Sequence, residues 1–199
     1  MTSHVNATVR PIVEAMGLTV RYGKREAVSG VDLPLHRGAL ALLGPNGAGK
    51  SSLMSVLSLL RRPSHGALRV HDLQVWGVGA TPAQREQARR LVGFLPQKFE
   101  LMEWSTVQDN VRFAGWARGL DAEALPDAVD RALSQVDLTD RSGERARSLS
   151  GGMRQRLGVA CAIVHRPAVL LLDEPTAALD PTQRQHVRDT VRELSLIHL

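Results

Sequence analysis

The sequence predicts a mixed α/β fold with a parallel sheet, and two features lead to that prediction. A glycine-rich loop, residues 44–51, lies between a short apolar run and a helical pattern. Much later in the chain, the apolar run Val169–Leu172 is followed directly by Asp173 and Glu174. Carboxylates at the carboxyl end of a parallel strand face the crevice in which open α/β sheets bind ligands. The two features together predict a phosphate-binding loop and a strand that ends in functional carboxylates.

The loop has the composition of an anion-binding turn. Its glycines leave backbone N–H groups open to a phosphate and tolerate positive φ. Ala39–Leu43 predicts a buried strand before the loop, and the apolar spacing from Ser51 to Leu60 predicts a helix after it. A helix N-terminus favours anions, so Lys50 is predicted to reach the phosphates of a nucleotide and Ser51 to bind Mg²⁺. The predicted nucleotide-binding residues here are Gly44, Pro45, Asn46, Gly47, Ala48, Gly49, Lys50, Ser51 and Ser52.

The second apolar run predicts a strand that ends in two adjacent carboxylates. Asp173 is predicted to hold Mg²⁺, directly or through water. Glu174 stands one residue later and is predicted to polarise an attacking water as a general base. Taken alone, Asp-Glu-Pro is also an ordinary acidic helix start, and the glycine loop alone is also compatible with a simple turn.

A second glycine-containing helix start lies at residues 149–152. Ser150 is predicted as its N-cap, and the two following glycines leave the backbone open to close approach. The helix after it has an apolar face with the helical period, formed by Leu157, Ala160, Cys161 and Val164. The plainer alternative is a flexible glycine entry to a helix.

In order and spacing, these motifs resemble the nucleotide-binding domain of ABC transporters. Tyr22 matches the aromatic residue that stacks on adenine in that family, and Gln97 matches the glutamine that touches Mg²⁺ and water. Asp180 matches the loop that crosses the dimer interface. The family signature, which contacts the ATP of a partner domain, matches Leu149, Ser150, Gly151, Gly152 and Met153.

The resemblance covers the chain from Ile12 to about Arg192 and implies its fold. The expected class is α/β, a P-loop NTPase of the ABC ATPase type, with a RecA-like core, an antiparallel β layer and an inserted helical subdomain. One such domain occupies residues 1–199, and residues 1–11 are a loose tail. The α/β core takes residues 12–97 and 150–199, and the helical subdomain takes residues 98–149.

The resemblance also implies the chemistry and the partners. ATP and Mg²⁺ are the expected cofactors, Glu174 and Gln97 the catalytic residues, and Ser51, Gln97 and Asp173 the metal site. Each ATP would lie between the phosphate loop of one domain and the signature of a second, so a homo- or heterodimer is expected. A transmembrane permease subunit is the other expected partner, at the inner face of the cell membrane.

Two departures from the family pattern bear on activity. Met153 stands where many members have glutamine. A methionine at this position resembles export-type members. The family also carries a switch histidine at the end of a further core strand, and the only candidate here is His198, which lies too close to Glu174. The resemblance therefore implies a C-terminally truncated member whose core sheet is incomplete. We expect such a chain to bind Mg²⁺–ATP weakly and to hydrolyse it slowly.

Composition narrows the class of protein. The chain of 199 residues is 43% hydrophobic and has no apolar run near the ~20 residues that cross a bilayer. The single cysteine, Cys161, is expected to be a packing residue and leaves no disulfide framework. The net charge is +5, with 22 Arg and 3 Lys, but no aromatic platform alternates with the arginines. Nucleic-acid binding is therefore not expected.

The remaining elements follow from local patterns. Strands are predicted at residues 13–22, 31–35, 67–70 and 91–95, and helices at residues 81–90, 106–117, 121–134 and 181–193. Thr106 and Asp121 are predicted helix caps. Phe113 and Trp116 are predicted to pack in the core because they are three residues apart on a helix. Trp104 is the better candidate for contact with a membrane subunit.

Two other functions remain open at this stage. The chain is also compatible with a nucleotide-binding remnant that has little turnover, or with a soluble member of the family that has no transporter partner. Cargo and direction of transport are not encoded in these residues.

Overall fold

The computed structural model describes residues 10–175 together with Gln185 and Asp189. The chain divides into two compact units, the first ending at Ala88 and the second beginning at Arg89. The expected division into an α/β core and a helical subdomain remains a prediction. No helix in the described residues is both long and apolar enough to span a membrane.

The first unit is built on four strands, β1 Val13–Tyr22, β2 Arg25–Leu35, β3 His65–Val70 and β4 Leu73–Trp76. They form an antiparallel sheet in the order β2-β1-β3-β4. Strand β1 is predicted correctly, β2 and β3 begin earlier than expected, and β4 was not expected. Gly23, with φ 60°, lies in the turn that joins β1 to β2, a conformation that glycine adopts without strain.

Helix α1, Lys50–Leu57, follows the glycine loop as predicted. It buries four apolar side chains, Leu53, Met54, Val56 and Leu57. The apolar stripe does not extend as far as expected, because Leu60 is 72% exposed. The helix ends at Leu57, and Leu59, just before Leu60, has φ 65°, outside the helical range.

The strand predicted at Ala39–Leu43 is not formed. The segment has no regular secondary structure, and Leu40 and Leu43 are 61% and 91% exposed. No described residue pairs with it in a sheet. An isolated strand has no ladder hydrogen bonds and no packed face, so this apolar run stays exposed. The phosphate loop is therefore anchored on its helix side, at α1.

The second unit contains the parallel pair β5, Val92–Leu95, and β6, Val169–Leu172, joined in register from Val92–Val169 to Leu95–Leu172. Both strands confirm the predictions. Helix α2, Pro82–Leu91, spans the division between the units. The other helices are α3 Val107–Ala117, α4 Leu125–Ser134 and α5 Gly151–Ile163, with short 3₁₀ turns at Thr139–Arg141 and Ala146–Ser148.

Of the two helix caps predicted in the helical region, one is confirmed and one is wrong. Thr106 is the N-cap of α3, and its Oγ1 accepts a hydrogen bond of 3.1 Å from the Asp109 amide. Asp121 is not a cap, since α4 begins at Leu125. The backbone carbonyl of Asp121 accepts hydrogen bonds from Ala124 and Leu125 instead, in a turn ahead of the helix.

Two glycines allow β5 and the segment after it to lie close to α5. A Cβ at Gly158 would lie 2.6 Å from the Phe99 ring. A Cβ at Gly93 would collide with the carbonyl oxygen of Ala162. These contacts fix the strand that leads to Gln97 against the helix that begins at the signature.

Two half-buried titratable groups in this unit, Cys161 and His165, have structural roles. Burial raises the pKa of the Cys161 thiol to about 12, which agrees with a packing residue and not a nucleophile. Burial, reinforced by the charge of Arg118, lowers the pKa of His165 to about 4. His165 is therefore neutral at physiological pH, with one ring nitrogen 3.4 Å from the Val92 carbonyl oxygen.

Phe113 and Trp116 are not core residues. They are 53% and 64% exposed, and their rings contact each other with centroids 5.7 Å apart. The buried face of α3 is formed instead by Val107, Asn110, Val111 and Gly115. Spacing of three residues correctly placed the two aromatics side by side, but it did not say which side of the helix faces the core.

Candidate functional site

The phosphate loop has the backbone geometry of an anion-binding turn. Gly47 and Gly49 have φ of 82° and 88°, which residues with a side chain rarely adopt. Gly49 is the N-cap of α1, so the amides of the first helical turn point out of the helix start. A Cβ at Gly49 would also collide with the carbonyl oxygen of Ala27 on β2. Only glycine fits at this position.

Lys50 folds back over the loop. Its Nζ donates hydrogen bonds to the carbonyl oxygens of Gly44 at 2.7 Å and of Pro45 at 3.0 Å. The ammonium group is thus held at the loop by two neutral acceptors. A phosphate oxygen is a stronger acceptor than a carbonyl oxygen, because its negative charge adds an ionic attraction to the hydrogen bond from the ammonium group.

Tyr22, predicted to stack on adenine, lies at the end of β1 and is 47% exposed. Its hydroxyl lies 3.3 Å from the Ser52 Oγ in the first turn of α1. The structure therefore brings the predicted base-stacking residue and the predicted phosphate helix together within the first unit.

Two arginines near this site were missed by sequence reasoning. The guanidinium of Arg61 lies over the Tyr22 ring, 4.0 Å from its centroid. Arg25 Nη2 lies 4.0 Å from the position that a Cβ on Gly47 would take. Neither belongs to a recognisable motif. The one available signal was the position of Arg25, three residues after Tyr22 in the predicted turn.

In the second unit, the parallel pairing of β5 and β6 brings the predicted catalytic residues together. The Gln97 Nε2 donates a hydrogen bond of 2.9 Å to the Glu174 Oε2. The Asp173 amide donates one of 2.9 Å to the carbonyl oxygen of Leu95. Glu174 has φ 50°, an uncommon value for a residue with a side chain. The turn after β6 thus directs the Glu174 carboxylate toward Gln97.

The predicted metal residues have the right donor chemistry for Mg²⁺. Ser51, Gln97 and Asp173 offer only oxygen ligands, and Mg²⁺ is usually bound by one or two carboxylates together with substrate phosphates and water. Among the described residues there is no cluster of three His, Cys, Asp or Glu that would suit a metal held by protein alone. Oxygen donors of these kinds suit a magnesium ion that arrives with a nucleotide.

The signature forms the start of α5 as predicted. Ser150 is the N-cap, and its Oγ accepts a hydrogen bond of 3.3 Å from the Met153 amide. Ser150 and Gly151 are exposed, whereas Leu149 and Gly152 are buried. Met153 packs against the hydrophobic core of the unit. The outward surface of this helix start therefore consists of a hydroxyl and an open glycine backbone.

The predicted dimer-loop residue Asp180 and the switch candidate His198 lie outside the described residues. Of the predicted helix at 181–193, only Gln185 and Asp189 are described; both are helical, and the Gln185 Nε2 donates a hydrogen bond of 2.9 Å to the Asp189 Oδ1.

An apolar groove of about 260 Å³ lies between the segment after β5 and helix α3. Phe99, Met102 and Phe113 line it, with Arg118 at its polar part. Trp104, predicted as a contact residue, is 70% exposed and carries the Arg147 guanidinium 4.0 Å from its ring centroid. With Phe113 and Trp116, the groove forms an exposed aromatic surface on this unit.

Comparison with known proteins identifies the family. A family model described as ABC transporter matches residues 28–177. A daunorubicin resistance ATP-binding protein, DrrA3 of Streptomyces coeruleorubidus, is 40% identical over 182 residues, which are 89% of this chain and 55% of that protein. The chain spans 55–58% of the length of several curated relatives that it matches.

Solved structures agree with this assignment. The structure of cbiO1 from Clostridium perfringens, part of the ABC transporter complex cbiONQ, superposes with a TM-score of 0.82 at 26% identity, over 94% of this chain and 75% of that one. The ATP-binding cassette MJ0796, solved as a dimer in a post-hydrolysis state with ADP and Pi, has a TM-score of 0.78 at 23% identity, over 92% of this chain and 82% of that one. With the family model covering residues 28–177, this chain belongs to the ABC transporter family and has the fold of its ATP-binding domain.

Proposed function

We propose that this chain is the ATP-binding and ATP-hydrolysing subunit of an ABC transporter, working at the inner face of the cell membrane. The observation that carries the proposal is the hydrogen bond between Gln97 and Glu174 at the carboxyl ends of β5 and β6. It joins the proposed general base to the proposed sensor of metal and water, which the sequence separates by 77 residues. The glycine loop and Lys50 supply the complementary phosphate-binding chemistry.

The proposed reaction is transfer of the terminal phosphoryl group of ATP to water. Such transfer depends mainly on positioning and on neutralising charge. The amides of the loop and the Lys50 ammonium bind the phosphates, and the Tyr22 ring stacks on the adenine. Gln97 orients the water, and the Glu174 carboxylate accepts its proton. Mg²⁺, when bound with the nucleotide, would be held by Ser51, Gln97 and Asp173 and would offset the phosphate charge.

A second nucleotide-binding domain completes the proposed site. Ser150 and Gly151 are exposed at the N-terminus of α5, where unpaired amides and the helix dipole favour an anion. The same chain already has a phosphate loop at α1. We assign the α5 start to the terminal phosphate of ATP bound by a partner domain, which is a second copy or a related chain.

The aromatic surface on the second unit is the proposed contact with the permease. Exposed aromatic side chains around an apolar groove are typical of protein interaction sites. We assign the groove beside α3 to a short amphipathic helix of the membrane subunit, since Phe113 and Trp116 would bury most of their exposed area against an apolar helix face.

The test is association and coupling with a membrane-spanning permease subunit. The variant Phe113→Ser combined with Trp116→Ser is expected to lose most of the permease-stimulated ATP turnover in vesicles, and to lose co-purification with the permease. Binding of Mg²⁺–ATP to the isolated chain should not change. The matched control is Val78→Ser in the first unit, a fully exposed apolar residue away from the groove.

If the double variant couples as well as the wild type, the groove is not the permease contact. If no spanning partner stimulates turnover in the wild type, the transporter assignment is wrong, and a soluble ATPase replaces it.

One observation favours a second candidate, a nucleotide-binding chain with little turnover. Ala39–Leu43 is exposed and unpaired among the described residues, so the loop lacks the strand anchor expected before it. A loop anchored on one side loses part of its order, and ordering it on binding costs affinity. Slow turnover with measurable ATP binding would support this candidate.

A further inference from the structure

The ring of Tyr22 is covered on one of its two faces. The guanidinium carbon of Arg61 lies 4.0 Å from the ring centroid, well inside the range in which a cation is attracted to an aromatic face. A flat ring has two faces, so this arrangement leaves one for stacking with a base.

Both partners of this contact are held by other parts of the first unit. The Arg61 Nη2 donates a hydrogen bond of 3.1 Å to the carbonyl oxygen of Arg21 on β1. The Arg61 amide donates one of 2.9 Å to the carbonyl oxygen of Ser55 on α1. The Tyr22 hydroxyl lies 3.3 Å from Ser52 Oγ. Arg61 therefore connects the end of β1 to α1 through the aromatic ring.

We propose that Arg61 is a positioning residue for nucleotide binding: it covers one face of Tyr22, fixes the ring relative to the phosphate helix, and leaves the opposite face to the purine. This inference rests on the proposed function, since it requires a nucleotide on the loop. A ring that is already ordered does not lose rotational freedom when the base binds. Stacking of a base on an aromatic side chain contributes substantially to binding.

A positioning role for Arg61 predicts different effects on the binding of ligands that have a base and of ligands that have only phosphates. Arg61 acts through Tyr22, so its loss should weaken the binding of ligands that have a base and spare ligands that have only phosphates. A general electrostatic role would weaken both. Arg62 is the matched control, because it is exposed, carries the same charge at the next position, and makes no ring contact among the described residues.

The experiment is calorimetric titration of the chain with Mg²⁺–ATP and with inorganic tripolyphosphate. For Arg61→Ala we expect the Kd for ATP to rise about two- to fivefold, the range of an exposed cation–π contact, with the Kd for tripolyphosphate unchanged. Arg62→Ala should change both constants by the same small factor. In a Tyr22→Ala background, Arg61→Ala should have no further effect on ATP, because its target ring is absent.

Other outcomes overturn the inference. Tighter ATP binding by Arg61→Ala would mean that Arg61 obstructs the face used by the base. Equal losses with ATP and tripolyphosphate would mean that Arg61 acts through its charge alone. A wild-type chain that binds neither ligand would contradict the proposed function itself, and this inference with it. Tripolyphosphate binding with no selective effect of Arg61→Ala would contradict the inference only.

Discussion

Lys50→Ala is expected to weaken binding of Mg²⁺–ATP about a hundredfold. The Nζ lies at the glycine loop with two carbonyl acceptors, 2.7 and 3.0 Å away. Exchanging these neutral oxygens for anionic phosphate oxygens adds an ionic attraction, and hydrogen bonds to charged groups contribute about 1.5–3 kcal/mol each. Loss of about 3 kcal/mol corresponds to about a hundredfold in Kd. Calorimetric titration of both proteins with Mg²⁺–ATP measures this change.

The control for this variant is Lys24→Ala. Lys24 is an exposed lysine of the same unit, in the turn between β1 and β2. Its substitution by alanine removes the same charge as Lys50→Ala does. It should change the Kd little. Equal Kd values for wild type and Lys50→Ala, with both chains folded, would refute the assignment of Lys50 to the phosphates.

Glu174→Gln is expected to reduce ATP hydrolysis by a factor of about a hundred or more, the usual size of a lost general base. Glutamine has nearly the same shape, and its side-chain oxygen still accepts the hydrogen bond that Gln97 now donates to Glu174 at 2.9 Å. The geometry at the end of β6 is retained and only the proton acceptor is lost. Binding of Mg²⁺–ATP should therefore be unchanged while single-turnover release of phosphate is lost.

Glu123→Gln, which neutralises an exposed carboxylate in the second unit, is the control for charge. It should hydrolyse ATP as the wild type does. Wild-type hydrolysis rates in Glu174→Gln would show that another group accepts the proton of water. Because no described residue pairs with Ala39–Leu43 to anchor the loop, we expect a slow wild-type rate, and radiolabelled ATP is the appropriate substrate for measuring it.

The parts of the fold that sequence predicted well depend on local signals. Ser150 and Thr106 each cap a helix with their own hydroxyl, and a cap needs only the backbone of its own helix start. Val169–Leu172 forms its strand because it has a partner in β5. The sequence also pointed to Glu174, from its position after that strand, and to Gln97, from resemblance to a family. The structure places their side chains within hydrogen-bond distance, and their catalytic roles stay a prediction.

The parts that it did not predict depend on distant residues. Ala39–Leu43 has the composition of a buried strand, yet composition does not supply the neighbouring strand that the segment requires. Phe113 and Trp116 have core-like spacing, but the opposite face of α3 is the one that packs. Arg61 contacts Tyr22, although the two residues are 39 positions apart in the sequence (61 − 22). No motif marks that pair.

We propose that the signature of one chain binds the terminal phosphate of ATP held by another. Gly151→Asp tests it cleanly. A Cβ at Gly151 meets no atom within 4 Å, and a carboxylate in the first turn of α5 suits the helix dipole, so the single chain should fold normally. The new negative charge would repel the phosphate of the partner's ATP. Gly143→Asp, at another open glycine of the same unit, is the matched control.

The deciding measurement is sedimentation velocity with Mg²⁺–ATP in the Glu174→Gln background, which keeps bound ATP intact. We expect ATP to produce dimers of the parent and of Gly143→Asp, and to leave Gly151→Asp monomeric with its ATP affinity preserved. ATP-dependent dimers of Gly151→Asp equal to those of the parent, or no ATP-dependent dimers of the parent, would contradict the claim.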